Sequence, residues 1–397
     1  MSPEETQVLI VGAGPSGLIA AREASQRRID VLVLEEHAEI GRPCHCAGLL
    51  SLKGMRRLNV PADGSFSQNK IRGAIFFSPS GLSFTIERRD SVACVVNRVT
   101  FDKFLASQAV KSGAKIKLGY QVHNVRLGEN EVLVESGKNV FKADIVIDAE
   151  GAASRIVKTA GLEPLNPASL LPGIQLDLTG VKIDPNYVEV YFGQKIAPGF
   201  FAWVIPLGED SVRVGLGCKE ANPHKSIKKF IEKRFGEERY EILTVRSGLI
   251  VASGPIKRTF SNRLLVVGDA AGQVKPTTGG GVIFGGICAS IAGRVAAEAV
   301  KRGRFEEGFL SLYEKLWKEK LSKEFKYMIW ARRVYNALSD KAIDRIFELI
   351  IKKNLQQVIS EKGDMDFQSD VLLELRRRRI FKLLIPFLRF MKHSLLE

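Results

Sequence analysis

Apolar and polar positions at the start of the chain follow a strand, loop, helix, strand rhythm. Residues 7–11 (QVLIV) are an apolar run of strand length, followed at once by GAGPSG at residues 12–17. Leu18, Ala20 and Ala21 then recur on a helical spacing, and residues 30–34 (DVLVL) predict a second strand that ends at Glu35. Two later runs have the same form. Residues 142–148 (KADIVID) close on Glu150 and Gly151, with Ser154 and Arg155 beyond, and residues 263–267 (RLLVV) close on Gly268 and Asp269. Residues 276–281 (PTTGGG) then lead into a long helix of small residues, from about 282 to 300. Between these runs, residues 173–178, 188–192, 211–217 and 241–251 alternate with a period of two. From 306 to about 359 the apolar positions return to helical spacing, as in Phe309, Leu312, Tyr313, Leu316 and Trp317.

The pattern predicts an α/β fold with an α+β insert. A Rossmann-like dinucleotide-binding domain takes residues 1–165 and 255–305, a mostly antiparallel-sheet substrate domain takes 166–254, and a helical, basic region takes 306–397. Composition agrees with a folded chain: of 397 residues, 45% are hydrophobic and 26% charged, which excludes global disorder. No uninterrupted apolar run approaches the roughly 18 residues of a membrane span. The first residues are acidic where a signal peptide is basic, so the expected location is cytoplasmic. Five cysteines, an odd number, do not read as a disulfide framework.

Charge adds a partner to the picture. The net charge is +15, and from Arg302 onward 21 Lys and Arg face 14 Asp and Glu. Nucleic acid is not expected, because no zinc-finger spacing, RNA-recognition signature or helix-turn-helix signal is present. The end of the chain instead interleaves cations with apolar residues: four arginines at 376–379 precede IFKLLIPFLRFMK, in which Pro386 predicts a kink. Such a segment suits the inner face of an anionic membrane, so peripheral attachment is expected.

In the opening unit each glycine has a mechanical task. Gly12 permits a tight turn, Gly14 lets backbone approach a pyrophosphate, and Gly17 lets the helix lie close to the strand. Pro15 and Ser16 begin the helix, whose free N–H groups and positive dipole end attract phosphate. Glu35, at the end of the second strand, suits a ribose hydroxyl. NAD and FAD both satisfy this unit. A later acid at a strand end, Asp269, suits a hydroxyl-rich ribityl linker, and the helix start at Gly280, Gly281 and Val282 suits the negative end of a reduced flavin.

The set GAGPSG, ADIVIDAEG and VVGDAAG resembles the flavoprotein monooxygenase superfamily, built on the fold of para-hydroxybenzoate hydroxylase. Within it, the chain resembles the geranylgeranyl reductase family, which includes archaeal digeranylgeranylglycerophospholipid reductases. The most specific element is FAWVIP at residues 201–206, followed after eight residues by Gly215-Leu216-Gly217, similar to that family's aromatic substrate strand and GxG. The resemblance implies bound FAD. It also implies a flavin-side loop at Cys46, Ala47 and Gly48, an arginine reaching the cofactor at Arg98, and further cofactor contacts at Val122 and Gly151. Phe201, Trp203, Pro206, Gly215 and Gly217 become the substrate wall. Departures from the family pattern are Glu150 for an aspartate, Lys275 for an acid before Pro276, and Ala47-Gly48-Leu49 for Gly-Glu-Gly.

The implied chemistry is hydride transfer from reduced flavin to an apolar alkene, completed by a proton. Cys46 is the expected proton donor, since an unperturbed thiol with a pKa of about 8.5 is protonated at neutral pH. No metal is expected, because Cys44, His45 and Cys46 lack further ligands, and Cys94, Cys218 and Cys288 read as core thiols. The expected substrate is a polyprenyl lipid, and NAD(P)H, ferredoxin or a reduced quinone can serve as electron donor. An aromatic monooxygenase or halogenase is the alternative, because WVIP also resembles the end of the halogenase WxWxIP signature. A catalytically silent flavin-binding membrane adaptor is a third reading.

Overall fold

The computed structural model describes residues 3–219, 222–236 and 239–377. The basic segment beyond Arg377, on which the expectation of membrane attachment rests, lies outside the described residues.

Five strands form the parallel core of an eight-stranded sheet, in the order Leu264–Val266, Asn139–Asp148, Glu4–Val11, Val31–Glu35 and Lys115–Leu118. Val8, Leu9 and Ile10 are fully buried, as expected of a strand covered on both faces. The strand order reverses between Glu4–Val11 and Asn139–Asp148, the switch point at which open α/β sheets bind ligands beyond their carboxyl ends. Helix Pro15–Ser25 returns across the sheet and packs on helix Val282–Arg302. Small residues make that contact possible: a Cβ on Gly293 would lie 2.4 Å from the Ala20 carbonyl oxygen. Val282–Arg302 is long and apolar enough to cross a membrane, yet most of it is buried in this core.

The second sheet has seven strands, ordered Glu241–Val251, Leu170–Thr179, Ser211–Gly217, Phe201–Pro206, Tyr187–Phe192, Gly73–Phe77 and Ser83–Glu87. All neighbours are antiparallel except Tyr187–Phe192 with Gly73–Phe77. The last two strands come from the segment that the sequence boundaries assign to the first domain. Periodicity marks a strand but not its partner, so this crossover has no local signal.

Helix Glu307–Asn336 packs on helix Val282–Arg302 and against the Leu264–Val266 edge of the first sheet. Its buried polar tips are satisfied: the Tyr313 hydroxyl donates to the Val266 carbonyl at 2.8 Å, and Trp317 Nε1 donates to Thr259 Oγ1 at 3.0 Å. Helices Asp340–Lys352, Leu355–Lys362 and Ser369–Arg377 follow. Stacked Phe76 and Phe84 meet Phe347 and dock the first of these onto the second sheet.

Candidate functional site

One cavity of about 1030 Å³ runs from the carboxyl ends of the first sheet to the underside of the second. That is the top of the roughly 300–1,000 Å³ range of ordinary ligand pockets. Gly12, Gly14, Pro15, Ser16, Glu35, Val122, Gly151, Gly268, Asp269, Gly280, Gly281 and Val282 line it, as do Arg98, Cys46, Ala47 and Gly48.

The glycine loop fits a dinucleotide. Gly12 has φ +97°, and a Cβ there would meet the Ala149 carbonyl oxygen at 2.5 Å. A Cβ on Gly17 would sit 1.9 Å from the Gly12 oxygen, so this residue packs helix on turn and does not line the cavity. A Cβ on Gly14 meets nothing within 4 Å, which leaves open space where a pyrophosphate would lie. Glu35 holds the loop, accepting the Ala13 N–H at 2.7 Å and the His37 N–H at 3.0 Å. Asp269 forms the far side: burial pushes its carboxyl up, and the Arg98 charge opposes that shift. Arg98 is itself fixed by a two-pronged pair with Asp102, at 3.0 and 2.9 Å.

Asp148, fully buried at the switch point, was not singled out in the sequence. Its Oδ1 accepts the Glu150 N–H at 3.0 Å and its Oδ2 has no partner. Burial and the neighbouring Glu150 charge push the Asp148 carboxyl well up. Burial also raises Glu150, against an N–H bond from Ile156.

The second sheet holds the cysteine loop from above. Gln175 Nε2 donates to the Cys46 carbonyl at 3.1 Å, and Arg213 Nη1 donates to the Ala47 carbonyl at 2.9 Å. Asp177 orients Arg213 at 2.7 and 3.1 Å and also takes Arg246 at 2.9 Å. Burial works against the Asp177 charge, but the two arginines outweigh it and hold the carboxyl below its ordinary range. Cys46 Sγ accepts the Gly48 N–H at 3.4 Å. These anchors escape a motif search, although Asp177 directly opposite Arg213 in otherwise apolar strands is a signal of a buried charge pair.

Phe200, Phe201 and Trp203 line the roof, with Phe200 stacked on Phe201 at 4.2 Å between centroids. Pro206, Gly215 and Gly217, expected as substrate contacts, do not line the cavity. Gly215 lies opposite Trp203, and a Cβ there would meet the indole at 2.4 Å. A Cβ on Gly217 would meet Phe200 at 2.8 Å. The GxG therefore makes room for rings that themselves face the cavity. Pro206 is buried, and its carbonyl accepts from Asn69 at 3.1 Å.

The lining also holds apolar Phe76, Val188, Phe192, Val371 and Leu372 and two cations, Arg72 and Arg88. Arg88 donates to the Glu361 and Gly363 carbonyls. Arg72 Nε is buried with no hydrogen-bond partner. Lys275, the residue that replaces the family's acid, turns beneath the glycine-rich loop and pairs with Asp366 at 2.8 Å. The acid is thus supplied from the C-terminal region.

Residues 5–285 match the FAD binding domain family. Digeranylgeranylglycerophospholipid reductase 2 of Methanothermobacter thermautotrophicus is 35% identical over 362 residues, spanning 88% of this chain and 93% of that protein. The crystal structure of a geranylgeranyl bacteriochlorophyll reductase-like protein from Thermoplasma acidophilum has a TM-score of 0.87 at 27% identity, covering 97% of this chain and all (100%) of that one. A halogenase solved with FAD has a TM-score of 0.69 at 15% identity, covering 90% and 84%, a likeness of fold alone.

Proposed function

The chain belongs to the digeranylgeranylglycerophospholipid reductase family, and on that premise we propose that it is an FAD-dependent oxidoreductase that saturates C=C bonds of geranylgeranyl chains on a glycerophospholipid. The observation that carries this reading is one continuous cavity lined by the dinucleotide loop, by Cys46 and by the aromatic residues Phe200, Phe201 and Trp203.

Bound FAD would supply the hydride for the alkene carbon. Gly14 and the helix that begins at Pro15 would hold its pyrophosphate, Glu35 its ribose and Asp269 its ribityl hydroxyls. The protein's own task is then to place the alkene and deliver a proton. Phe200, Phe201 and Trp203 bind the chain by apolar burial and exclude water from the reacting carbon. Cys46 Sγ gives up the proton to the carbon that does not receive hydride. The Gly48 N–H left facing the sulfur stabilises the thiolate that results. Gln175 and Arg213 act as positioning residues by holding the loop's carbonyls. Arg72, without a carboxylate partner among the described residues, suits the phosphate of the lipid head. Reducing equivalents come from an external donor, NAD(P)H or ferredoxin. A halogenase reading is not carried forward, since its relatives share the fold alone.

The test is anaerobic incubation of the dithionite-reduced enzyme with a digeranylgeranyl phospholipid, followed by mass spectrometry. Successive gains of two hydrogens support the reading, and unaltered lipid mass with a fully reduced enzyme contradicts it.

A further inference from the structure

Exposed large hydrophobic residues are scattered over this molecule except in one place. Of the ten among the described residues, four fall within eight positions of one strand: Ile242 (53% exposed), Leu243 (58%), Val245 (55%) and Leu249 (56%). The strand is Glu241–Val251, at the edge of the seven-stranded sheet, with its outer backbone groups unpaired by any described strand. Edge strands ordinarily carry charge or proline to prevent sticking. This one has two charges, Glu241 at its start and Arg246, which turns inward to pair with Asp177, and four exposed apolar side chains.

Register tells which way the patch faces. Val245 lies opposite Leu176 and Leu249 opposite Pro172. Leu176 belongs to the sheet face covered by helix Pro223–Phe235, whose Ile227, Phe230 and Ile231 pack into the same cluster. The patch therefore shares a face with that helix, which turns Lys225, Lys228, Lys229 and Lys233 to solvent against a lone exposed acid, Glu232. Apolar side chains beside a row of lysines match the layout of an interfacial anchor, apolar groups reaching the acyl boundary and cations meeting anionic heads. The lysines also disfavour pairing with a second copy, because a two-fold contact across the strand would set two cationic helices near each other.

The patch borders the site from the other face of the sheet. Gly248 lines the cavity, and its neighbour Leu249 stands at the cavity rim with its side chain on the helix-covered face. We infer that the edge strand Glu241–Val251 and the lysine face of helix Pro223–Phe235 form the surface by which this protein sits on an anionic lipid bilayer. The choice of a lipid partner rests on the proposed function; the location of the surface does not.

The experiment is vesicle co-sedimentation of the full chain, with phosphatidylcholine vesicles containing or lacking phosphatidylglycerol. The variants are Leu243→Ser with Val245→Ser, and Lys228→Glu with Lys229→Glu. All four positions are solvent-facing and outside the catalytic cavity, so detergent-dispersed substrate should turn over as in the parent. Each surface cation contributes about 1 kcal/mol near such a membrane, so the charge reversal should weaken binding to anionic vesicles by about ten-fold or more and flatten its salt dependence. The apolar pair should lose binding as well, while keeping the salt dependence. In a third variant, Val245→Trp, indole emission should shift to the blue when anionic vesicles are added. Parent-like binding by both double variants, or an unshifted indole, overturns the surface. So does a parent dimer in sedimentation velocity that Leu243→Ser with Val245→Ser dissociates. Vesicle binding that follows these variants in a protein that reduces no isoprenoid would instead overturn the proposed reaction and keep the surface.

Discussion

Lys275 and Asp366 form a buried ion pair, 2.8 Å from ammonium to carboxylate, although 91 residues separate them in the chain. Lys275 lies beneath Gly280, and Asp366 also accepts from the Ser51 hydroxyl, which caps the helix Leu52–Arg57. The pair fastens the C-terminal segment to the turn that begins helix Val282–Arg302, and with Ser51 it ties together residues from three distant parts of the sequence. Its net worth is smaller than its consequence. Removing one partner leaves a buried charge unpaired, whereas removing both does not.

Lys275→Met should therefore destabilise the protein by about 3–5 kcal/mol in urea denaturation, and adding Asp366→Asn should recover most of that loss. A single variant as stable as the parent would show that the pair does not hold the segment.

Gly14→Ala and Gly17→Ala should fail in different ways. At Gly14 a Cβ has open space, and the backbone is extended with φ −73°, so the variant should fold and lose FAD affinity. At Gly17 a Cβ lies 1.9 Å from the Gly12 oxygen, so the variant should lose stability by about 1–3 kcal/mol, the range of an overpacked core. Thermal melts of the FAD-free proteins, beside flavin titrations, separate the two.

Asp148 makes stability depend on pH. Its carboxyl is raised by burial and by Glu150, so the folded state favours the protonated form. Its stabilising contribution is complete below the ordinary carboxylate range, near pH 3.9, and is lost as pH rises through the raised value. Asp148→Asn removes that ionisation. The stability of the variant relative to the parent should therefore grow with pH across that window, measured by denaturant titration at several pH values. A difference that does not change with pH would place the shift elsewhere.

The first strand, the glycine loop and Glu35 were legible because their signal is local: a turn, a close approach and a strand end lie within about 30 residues. The aromatic strand and GxG were legible as a motif but not as a mechanism. Only the register, with Trp203 opposite Gly215, shows that the glycine makes room for the indole. The anchors of the cysteine loop were not legible, because Gln175, Asp177 and Arg213 act through neighbours more than 100 residues away or on the facing strand. Nor was the counter-ion of Lys275, for which sequence spacing carries no information. The terminal arginines on which the sequence places membrane attachment run beyond the described residues, whereas the exposed edge strand has no sequence motif to mark it.

The most direct test of the account is a stopped-flow record of flavin reoxidation under argon, with the parent and Cys46→Ser, after reduction by dithionite and mixing with a digeranylgeranyl phospholipid. Serine keeps the size of the side chain but is a far weaker acid, and loss of a positioned general acid typically costs about 10²–10⁴-fold in rate. The account predicts that both proteins accept electrons equally, that the parent reoxidises with lipid alone, and that Cys46→Ser does so slower by that factor. A parent flavin that stays reduced with lipid and reoxidises only when oxygen is admitted would contradict it.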